Sequence, residues 1–157
     1  MNILITGITG FIGSVVTHHW LAQGHKVIGI SRSPKIAQKS YGNTVTIVDW
    51  SSLTPEFFQI RKIDTIVNFA GAPMMQKWNR QSKSQIFLSR LTALERIFEL
   101  IRSLPPSRRP ASIVSASSAA IYSTQEKAVD ESLEPEFDIN FFQSIVWRRL
   151  EKRMLEL

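Results

Sequence analysis

The sequence of 157 residues contains no cysteine, which excludes a disulfide framework and thiolate chemistry. This composition fits a reducing cytosol, and we expect a cytoplasmic protein. The N-terminus has no charged segment ahead of an apolar one, and no apolar run approaches the length of a membrane span. We therefore expect neither a signal sequence nor a membrane partner. Internal repeats and low-complexity tracts are also absent.

Apolar residues are plentiful by contrast, at 43% of the chain. This is enough for one sizeable core, and we expect a single domain over residues 1–157. The formal net charge is +6, which suits an anionic ligand and also permits nonspecific nucleic-acid binding. No aromatic residues are interleaved with the C-terminal arginines, so we interpret them as a solvated helix face and expect no nucleic-acid partner. The three histidines do not form a metal-binding pattern.

The most informative segment is a glycine-rich turn near the N-terminus. It lies between an apolar run at residues 2–6, typical of a buried parallel strand, and a helical pattern, which a second buried strand at residues 26–32 follows. Gly7 permits a tight turn, Gly10 a close approach of backbone to a pyrophosphate, and Gly13 close packing of the helix on the sheet. Free N–H groups at the helix start then favour phosphates. The alternative is a glycine turn of some other α/β protein.

The end of the second strand indicates which dinucleotide such a turn binds. An acidic residue there would bond the 2′-hydroxyl of NAD, whereas this sequence has Ser31 and Arg32. A hydroxyl and a cation suit a 2′-phosphate, so we expect NADP as the cofactor in preference to NAD. The alternative is that Arg32 is a solvated loop arginine.

Strands and helices alternate along the chain, which predicts an α/β fold, a doubly wound parallel sheet with helices on both faces. Further strands are predicted at residues 44–48, 64–69 and 111–116, and the segment 33–43 is predicted as a polar loop. Right-handed crossovers and the dinucleotide-binding pattern give the strand order 3-2-1-4-5. The ligand crevice then lies beyond the carboxyl ends of the strands.

Three predicted helices follow the first one. A short helix opens at Thr54-Pro55, a long one covers about residues 80–104, and a last one runs from an N-cap at Asp138 to the chain end. The long helix has an apolar stripe, which comprises Phe87, Leu91, Leu94, Phe98 and Ile101. The last helix is predicted to bury Phe142, Ile145 and Leu150.

Three motifs together resemble the extended short-chain dehydrogenase/reductase superfamily. They are TGITGFIG at residues 6–13, NFAG at 68–71, and SASS at 115–118 with Tyr122. The sequence is more closely similar to an atypical branch, the epimerase family of NAD-dependent epimerase/dehydratase-like proteins. That similarity comes from SRSP at 31–34, from AGAP at 70–73 followed by Lys77-Trp78, and from Ser89-Arg90. It covers essentially the whole chain.

The resemblance implies a role for each matching residue. The cofactor-binding set comprises Gly7, Thr9, Gly10, Phe11, Ile12 and Gly13 at the pyrophosphate, Ser31 and Arg32 at the 2′-phosphate, Asp49 and Trp50 near the adenine, and Ala70, Gly71 and Ala72 along the ribose. The catalytic candidates are Ser118 and Tyr122, with Ser117 as the equivalent hydroxyl if the alignment shifts by one residue.

Two departures from the superfamily pattern bear on catalysis. The general acid there is a tyrosine four residues before a lysine, and Gln143 and Trp147 occupy these two positions here. Family members are also roughly twice this length. We therefore interpret the chain as a truncated N-terminal half that lacks most of the substrate pocket.

The expected function is that of an NADP-binding protein of the epimerase/dehydratase-like oxidoreductase type. Its substrate would be a small molecule or a nucleotide sugar, and the reaction would be hydride transfer at a carbinol or ketone carbon. Ser118 would polarise the oxygen, and Tyr122 or a water would act as the acid. The alternatives are a non-catalytic NADP-binding sensor or scaffold and an inactive truncated remnant. The resemblance also implies a homodimer formed through the long and last helices.

Overall fold

A computed structural model of the protein describes residues 1–122, 130, 132 and 141–156. The chain packs as two compact units. The first comprises Met1–Gly71 and Thr92–Ser115, and the second comprises Ala72–Leu91 and Ala116–Leu157. In the part of the chain that the structure describes, no helix has the length and apolar character needed to cross a bilayer.

The first unit contains a five-stranded parallel sheet. The strands are β1 (Asn2–Thr6), β2 (Lys26–Ile30), β3 (Thr46–Val48), β4 (Thr65–Asn68) and β5 (Ser112–Ser115). Their order is β3-β2-β1-β4-β5, which confirms the predicted topology. Since β1 is the central strand and pairs with both β2 and β4, the turn that follows it lies in the middle of the carboxyl edge.

The described residues also form five α-helices. They are α1 (Phe11–Ala22), α2 (Pro34–Tyr41), α3 (Pro55–Ile60), α4 (Arg80–Ser103) and α5 (Phe142–Met154). Short 3-10 turns of the described residues cover Trp50–Ser52, Pro106–Arg108 and Ala119–Ile121. Proline at the first position of α2 and of α3 favours helix initiation because its φ is fixed near the helical value and it has no N–H to leave unpaired.

One core of the first unit joins alternate residues of the central strands to the helices on the same face. Successive strand residues face opposite sides, so Ile3 and Ile5 of β1 enter this core while Leu4 does not. The other buried members are Ile8, Val27, Tyr41, Val45 and Val67, with Trp20 and Leu21 of α1 packed against them. This core therefore includes a residue of the glycine turn itself, Ile8, which is completely buried.

The prediction of a polar loop over residues 33–43 is wrong, because Pro34–Tyr41 form α2. This helix buries only Ala37 and Tyr41, one turn apart, and the residues between them are polar. The apolar pattern was therefore too sparse to indicate a helix. A signal was nonetheless present in the proline that follows Ser33 and in the four-residue spacing of the two buried side chains.

The predicted buried faces of the two long helices need correction. On α4, Leu94, Phe98 and Ile101 are buried as predicted, whereas Phe87 and Leu91 are only half-buried. The fully covered positions on that helix also include Ile86, Ala93, Ile97 and Leu100. On α5, the buried residues are Ser144, Val146, Trp147 and Leu150, whereas Phe142 and Ile145 are half-buried. The predicted cap Asp138 lies outside the described residues.

Candidate functional site

The turn after β1 has a backbone that only glycine can adopt at its first position. Gly7 has a φ of +69°, in the left-handed region that L-residues avoid. A Cβ built on Gly7 would also lie 2.7 Å from the carbonyl carbon and oxygen of Phe69, the residue that follows β4. The glycine therefore serves two purposes: it turns the chain sharply, and it allows the turn to touch the adjacent strand end.

The third glycine of the motif allows α1 to approach the turn. A Cβ on Gly13 would lie 2.3 Å from the carbonyl oxygen of Gly7, a separation that no real side chain shows. Gly10 is tight as well, since its Cβ would lie 3.1 Å from the same oxygen, and its own amide donates to that oxygen at 2.9 Å. The three glycines thus form a closely packed loop around one carbonyl group.

The start of α1 has the properties of an anion site. Gly10 occupies the N-cap position and has no side chain to cap the helix, and the first turn contains no acidic residue. The first amides of a helix have no intrahelical acceptor, so those of Phe11, Ile12 and Gly13 remain available to a ligand. Thr9, Gly10, Phe11 and Ile12 are all exposed. Together with the positive end of the helix dipole, these groups can hold a pyrophosphate.

Helix α2 stabilises the same turn through a hydrogen bond from its last residue, Tyr41. The Tyr41 hydroxyl donates to the carbonyl oxygen of Ile8 at 2.7 Å, and both residues are buried. Burial raises the pKa of Tyr41, against a smaller lowering by its hydrogen bond with Thr17, so the hydroxyl keeps its proton and remains a donor. Thr17 in turn donates to the carbonyl of Gly13 at 2.7 Å. Sequence reasoning missed Tyr41 because it treated this segment as a loop.

A buried hydrogen-bond network ties together the carboxyl ends of β1, β4 and β5. The Thr6 hydroxyl donates to Asn68 Oδ1 at 2.5 Å, and Asn68 Nδ2 donates to the Ser115 hydroxyl at 3.1 Å. The amide of Ala70 donates to the Thr6 hydroxyl at 3.2 Å and lies 3.3 Å from Asn68 Oδ1. This network fixes the path of the chain from β4 into the predicted ribose-lining segment.

We expect Ser115→Ala to destabilise the protein by about 1–2 kcal/mol, because it leaves the buried Asn68 amide without its acceptor. Ser112→Ala is the matched control. Ser112 is on the same strand and its hydroxyl lies 3.0 Å from that of Thr65, but this pair is exposed, so its loss should cost less than about 0.5 kcal/mol. Urea unfolding measures both variants, and equal losses would contradict the assigned importance of burial.

The predicted 2′-phosphate and adenine residues meet in one cavity of the first unit. Arg32, Asp49 and Trp50 line a cavity of about 370 Å³ together with Ser51 and Arg96. Asp49 caps the turn Trp50–Ser52, accepting from the Ser51 hydroxyl at 2.7 Å and from the Ser52 hydroxyl at 2.8 Å. These hydroxyls, together with the Ser52 amide, hold the pKa of the Asp49 carboxyl below its usual range.

Ser31, the remaining predicted residue beside this cavity, makes hydrogen bonds that stabilise the local backbone. The Ser31 amide donates to the Val48 carbonyl at 3.0 Å, which ties the end of β2 to the end of β3. The Ser31 hydroxyl accepts from the Ser33 amide at 3.1 Å and so helps to start α2. Sequence reasoning missed two residues of the cavity, Ser51 and Arg96. Ser51 directly follows the predicted Trp50, whereas Arg96 lies on α4 and no local motif marks it.

The predicted ribose-lining residues fall in both units. Ala72 is fixed to α4: its amide donates to the Ser89 hydroxyl at 2.9 Å and its carbonyl accepts from Arg90 at 3.0 Å. Burial lowers the pKa of Arg90, and its guanidinium lies 5.1 Å from the centroid of the Trp147 ring. Ala70 and Gly71 lie in the first unit, where Ala70 is half-buried and Gly71 is exposed.

The two candidate serines have different partners. Ser118 caps the 3-10 turn Ala119–Ile121, since its hydroxyl oxygen accepts from the Ala120 amide at 3.2 Å. Ser117 donates its hydroxyl proton to the Glu151 carboxylate of α5. Tyr122 is the residue that ends the same 3-10 turn and is half-buried. The hydroxyl proton of Ser118 is therefore available to another acceptor, whereas that of Ser117 is already donated to Glu151.

The strand order and the glycine turn define the class of fold. A parallel sheet in the order 3-2-1-4-5, with a glycine turn between its central strand and an uncapped helix, is a Rossmann-like nucleotide-binding fold. A sequence model of the NAD dependent epimerase/dehydratase family matches residues 3–140. The chain belongs to this family, as the motifs predicted.

Individual relatives agree with this assignment. Epimerase family protein YfhF of Bacillus subtilis is 34% identical over 134 residues, which cover 83% of this chain and 42% of that protein. The crystal structure of human epimerase family protein SDR39U1 (isoform 2) with NADPH is 27% identical, with a TM-score of 0.75, and the match covers 97% of this chain and 48% of that one. The chain therefore spans about half the length of these relatives.

A more distant structure shares the fold. UDP-glucose 4-epimerase from Bifidobacterium longum, crystallised with NAD+ and UDP, has a TM-score of 0.76 at 17% identity. That match covers 99% of this chain and 48% of the other. At this level of identity, the similarity establishes the common architecture alone.

Proposed function

We propose that this chain binds NADP(H) at the carboxyl edge of its sheet, with the 2′-phosphate held by Arg32. The observation that carries this proposal is the cavity at the ends of β2 and β3, where a guanidinium occurs in place of the acidic residue that would select NAD. The human relative crystallised with NADPH supports the same preference.

We expect different residues of the site to contact different parts of the nucleotide. In this proposal, the amides at the start of α1 donate to the pyrophosphate, and the glycine at position 10 keeps side-chain atoms away from it. Asp49 and Trp50 border the adenine, and Ala70, Gly71 and Ala72 border the adjoining ribose. These assignments need only short backbone approaches and exposed amides, which the turn provides.

For the reaction, we propose that the complete family fold transfers a hydride at a carbinol or ketone carbon. The bound nicotinamide supplies or accepts the hydride. Ser118 has an O–H that can donate to a substrate oxygen, and its oxygen is held in place by the Ala120 amide. The commitment of Ser117 to Glu151 favours Ser118 as the polarising group. In the direction of ketone reduction, the carbon would accept the hydride and the oxygen would accept a proton from Tyr122 or a water. Oxidation of the carbinol would run both transfers in reverse. A small carbonyl compound or a nucleotide sugar is the proposed substrate class.

A non-catalytic NADP-binding role is the second candidate. Trp147 occupies the position of the superfamily's lysine, is buried, and packs against the Arg90 guanidinium, so it cannot perform the proton chemistry of a lysine. Oxidation of NADPH with a panel of ketones and nucleotide sugars separates the two roles. Binding without turnover supports the non-catalytic role, whereas turnover supports the enzyme.

Arg32→Ala is expected to lower the affinity for NADPH by about 10–100-fold and to leave that for NADH nearly unchanged. The reason is that a hydrogen bond to a charged group contributes about 1.5–3 kcal/mol, and only NADPH has the extra phosphate. Isothermal titration calorimetry with both nucleotides measures the effect.

Arg61→Ala is the matched control for this variant. Arg61 is also exposed and follows α3, where its guanidinium lies 5.5 Å from the Phe57 ring centroid, and it does not line the cavity. We expect its affinities to equal those of the wild type. If Arg32→Ala binds NADPH as tightly as the wild type does, Arg32 is a solvated loop arginine and the proposed preference is wrong.

A further inference from the structure

The cavity at the ends of β2 and β3 contains a second arginine that no sequence motif assigned to it. Arg96 lies in the part of α4 that belongs to the first unit, and it lines the same cavity as Arg32, Asp49 and Trp50. The cavity thus brings together residues from two strand ends and a helix. The cavity is open to solvent, and a few convergent polar groups of this kind are a common feature of ligand sites.

The charges of this cavity are unbalanced. Its single carboxylate, Asp49, is engaged by the hydroxyls of Ser51 and Ser52 and by the Ser52 amide. Among the described residues, neither Arg32 nor Arg96 has a carboxylate within ion-pair distance. Two guanidiniums and one ionised carboxylate of the described residues therefore line this cavity, so the lining carries one net positive charge. This arrangement favours an anion whose oxygens can accept from both guanidiniums.

An aromatic contact limits the freedom of the Arg96 side chain. Its guanidinium carbon lies 5.7 Å from the centroid of the Trp50 ring, within the range of a cation–π contact. A guanidinium held against a ring still has N–H groups along its edge, which match the oxygens of a phosphate. The contact therefore reduces the entropy that Arg96 would lose when it binds an anion.

We propose that Arg96 is a second specificity-determining residue for the 2′-phosphate of NADP, acting with Arg32 on the same group. This inference rests on the proposed function, because it assigns a further residue to the same nucleotide site. The two guanidiniums donate to different oxygens of the phosphate dianion. The indole of Trp50 holds Arg96 in place and borders the adenosine.

The test compares three single variants by calorimetry with NADPH and NADH. Arg96→Gln removes the charge and should lower the affinity for NADPH about 10-fold, which corresponds to 1.4 kcal/mol, while the affinity for NADH changes less than about twofold. Arg96→Lys keeps a charge and should fall between Arg96→Gln and the wild type. Arg102→Gln is the control: Arg102 lies on the same helix over the Phe98 ring at 5.9 Å and does not line the cavity.

A second titration isolates the subsite from the glycine turn. Adenosine 2′-monophosphate and adenosine 5′-monophosphate serve as probes, since only the first places its phosphate at the proposed position. The wild type should bind the 2′-isomer more tightly, and Arg96→Gln should reduce this preference by up to about 10-fold, because Arg32 still contacts the phosphate. Circular dichroism melting of each variant checks that the fold is retained.

The outcomes distinguish this inference from the proposed function. Equal losses for NADPH and NADH in Arg96→Gln would show a merely structural contact with Trp50 and would overturn the inference. Unchanged affinities in Arg96→Gln, alongside a loss in Arg32→Ala, would overturn it while leaving the proposed function intact. Failure of the wild type to bind either dinucleotide would overturn both.

Discussion

Gly7→Ala is expected to destabilise the protein by about 2–5 kcal/mol. A left-handed backbone costs an L-residue about 1–2 kcal/mol, and overpacking adds about 1–3 kcal/mol because the new methyl group would lie 2.7 Å from the Phe69 carbonyl. Both neighbours are backbone, so neither can move aside as a flexible side chain would. Equilibrium urea unfolding gives the loss directly. Nucleotide affinity should fall in parallel, since the turn carries the proposed phosphate-binding amides.

Gly24→Ala is the matched control for this prediction. Gly24 also has a positive φ, of +78°, but a Cβ there would meet nothing within 4 Å. Its replacement should therefore cost only the backbone term, about 1–2 kcal/mol. The difference in the free energy of unfolding between Gly7→Ala and Gly24→Ala measures the contribution of the close contact between the turn and the end of β4. Equal losses would mean that Gly7 is needed only for its dihedral angles.

Tyr41→Ala is expected to have an effect as large as that of Gly7→Ala. Tyr41→Ala should cost about 3–5 kcal/mol, the usual loss for a large buried aromatic side chain. Tyr41→Phe keeps the ring and removes the hydroxyl, which leaves the buried Ile8 carbonyl without its donor and should cost about 1–3 kcal/mol. Urea unfolding of both variants separates packing from hydrogen bonding.

A binding measurement on Tyr41→Phe tests the bracing of the turn. Because Ile8 lies within the glycine turn, its displacement should weaken NADPH and NADH binding equally. This differs from the expected behaviour of Arg32→Ala, which affects NADPH alone. If Tyr41→Phe unfolds at the same urea concentration as the wild type, another donor satisfies the Ile8 carbonyl and α2 does not brace the turn through this bond.

The strand order and the glycine turn could be predicted because the signals for each element are local. The strand at residues 2–6 has three consecutive apolar residues at its centre, Ile3 to Ile5, as a central parallel strand requires, and the glycine spacing that follows has a direct steric reason at Gly7 and Gly13. The topology then followed from the handedness of the crossovers. Each of these inferences uses residues that are close together in the sequence.

Helix faces were predicted less well, because burial depends on what packs against the helix. The apolar residue Phe87 of α4 was expected to be buried and is half-buried, with the Arg149 guanidinium 5.8 Å from its ring centroid. On α5, Ser144 is fully buried although it is polar, and its hydroxyl is directed to the Ile121 carbonyl at 3.4 Å. Hydropathy spacing cannot anticipate a polar residue that finds such a partner.

The roles proposed for individual site residues are still predictions, and the structure adds the hydrogen-bond partners of some of them. Asp49 was expected near the adenine from the resemblance alone, and its carboxylate is held by two serine hydroxyls. Ser117 and Ser118 could not be separated by alignment, whereas their hydrogen bonds differ: one donates to Glu151 and the other caps a turn. Such differences arise from contacts between distant parts of the chain.

The sequence by itself determined the alternation of strands and helices, the family and the position of the glycine turn, since these follow from periodicity, from the motifs and from what glycine permits. Only the tertiary structure brought Arg96 of α4 into the cavity of Arg32 and placed the Tyr41 hydroxyl against Ile8. The physical reason is that a hydrogen bond or a shared cavity depends on a separation of a few ångströms in space. For residues so far apart along the chain, that separation is set by how the helices pack on the sheet.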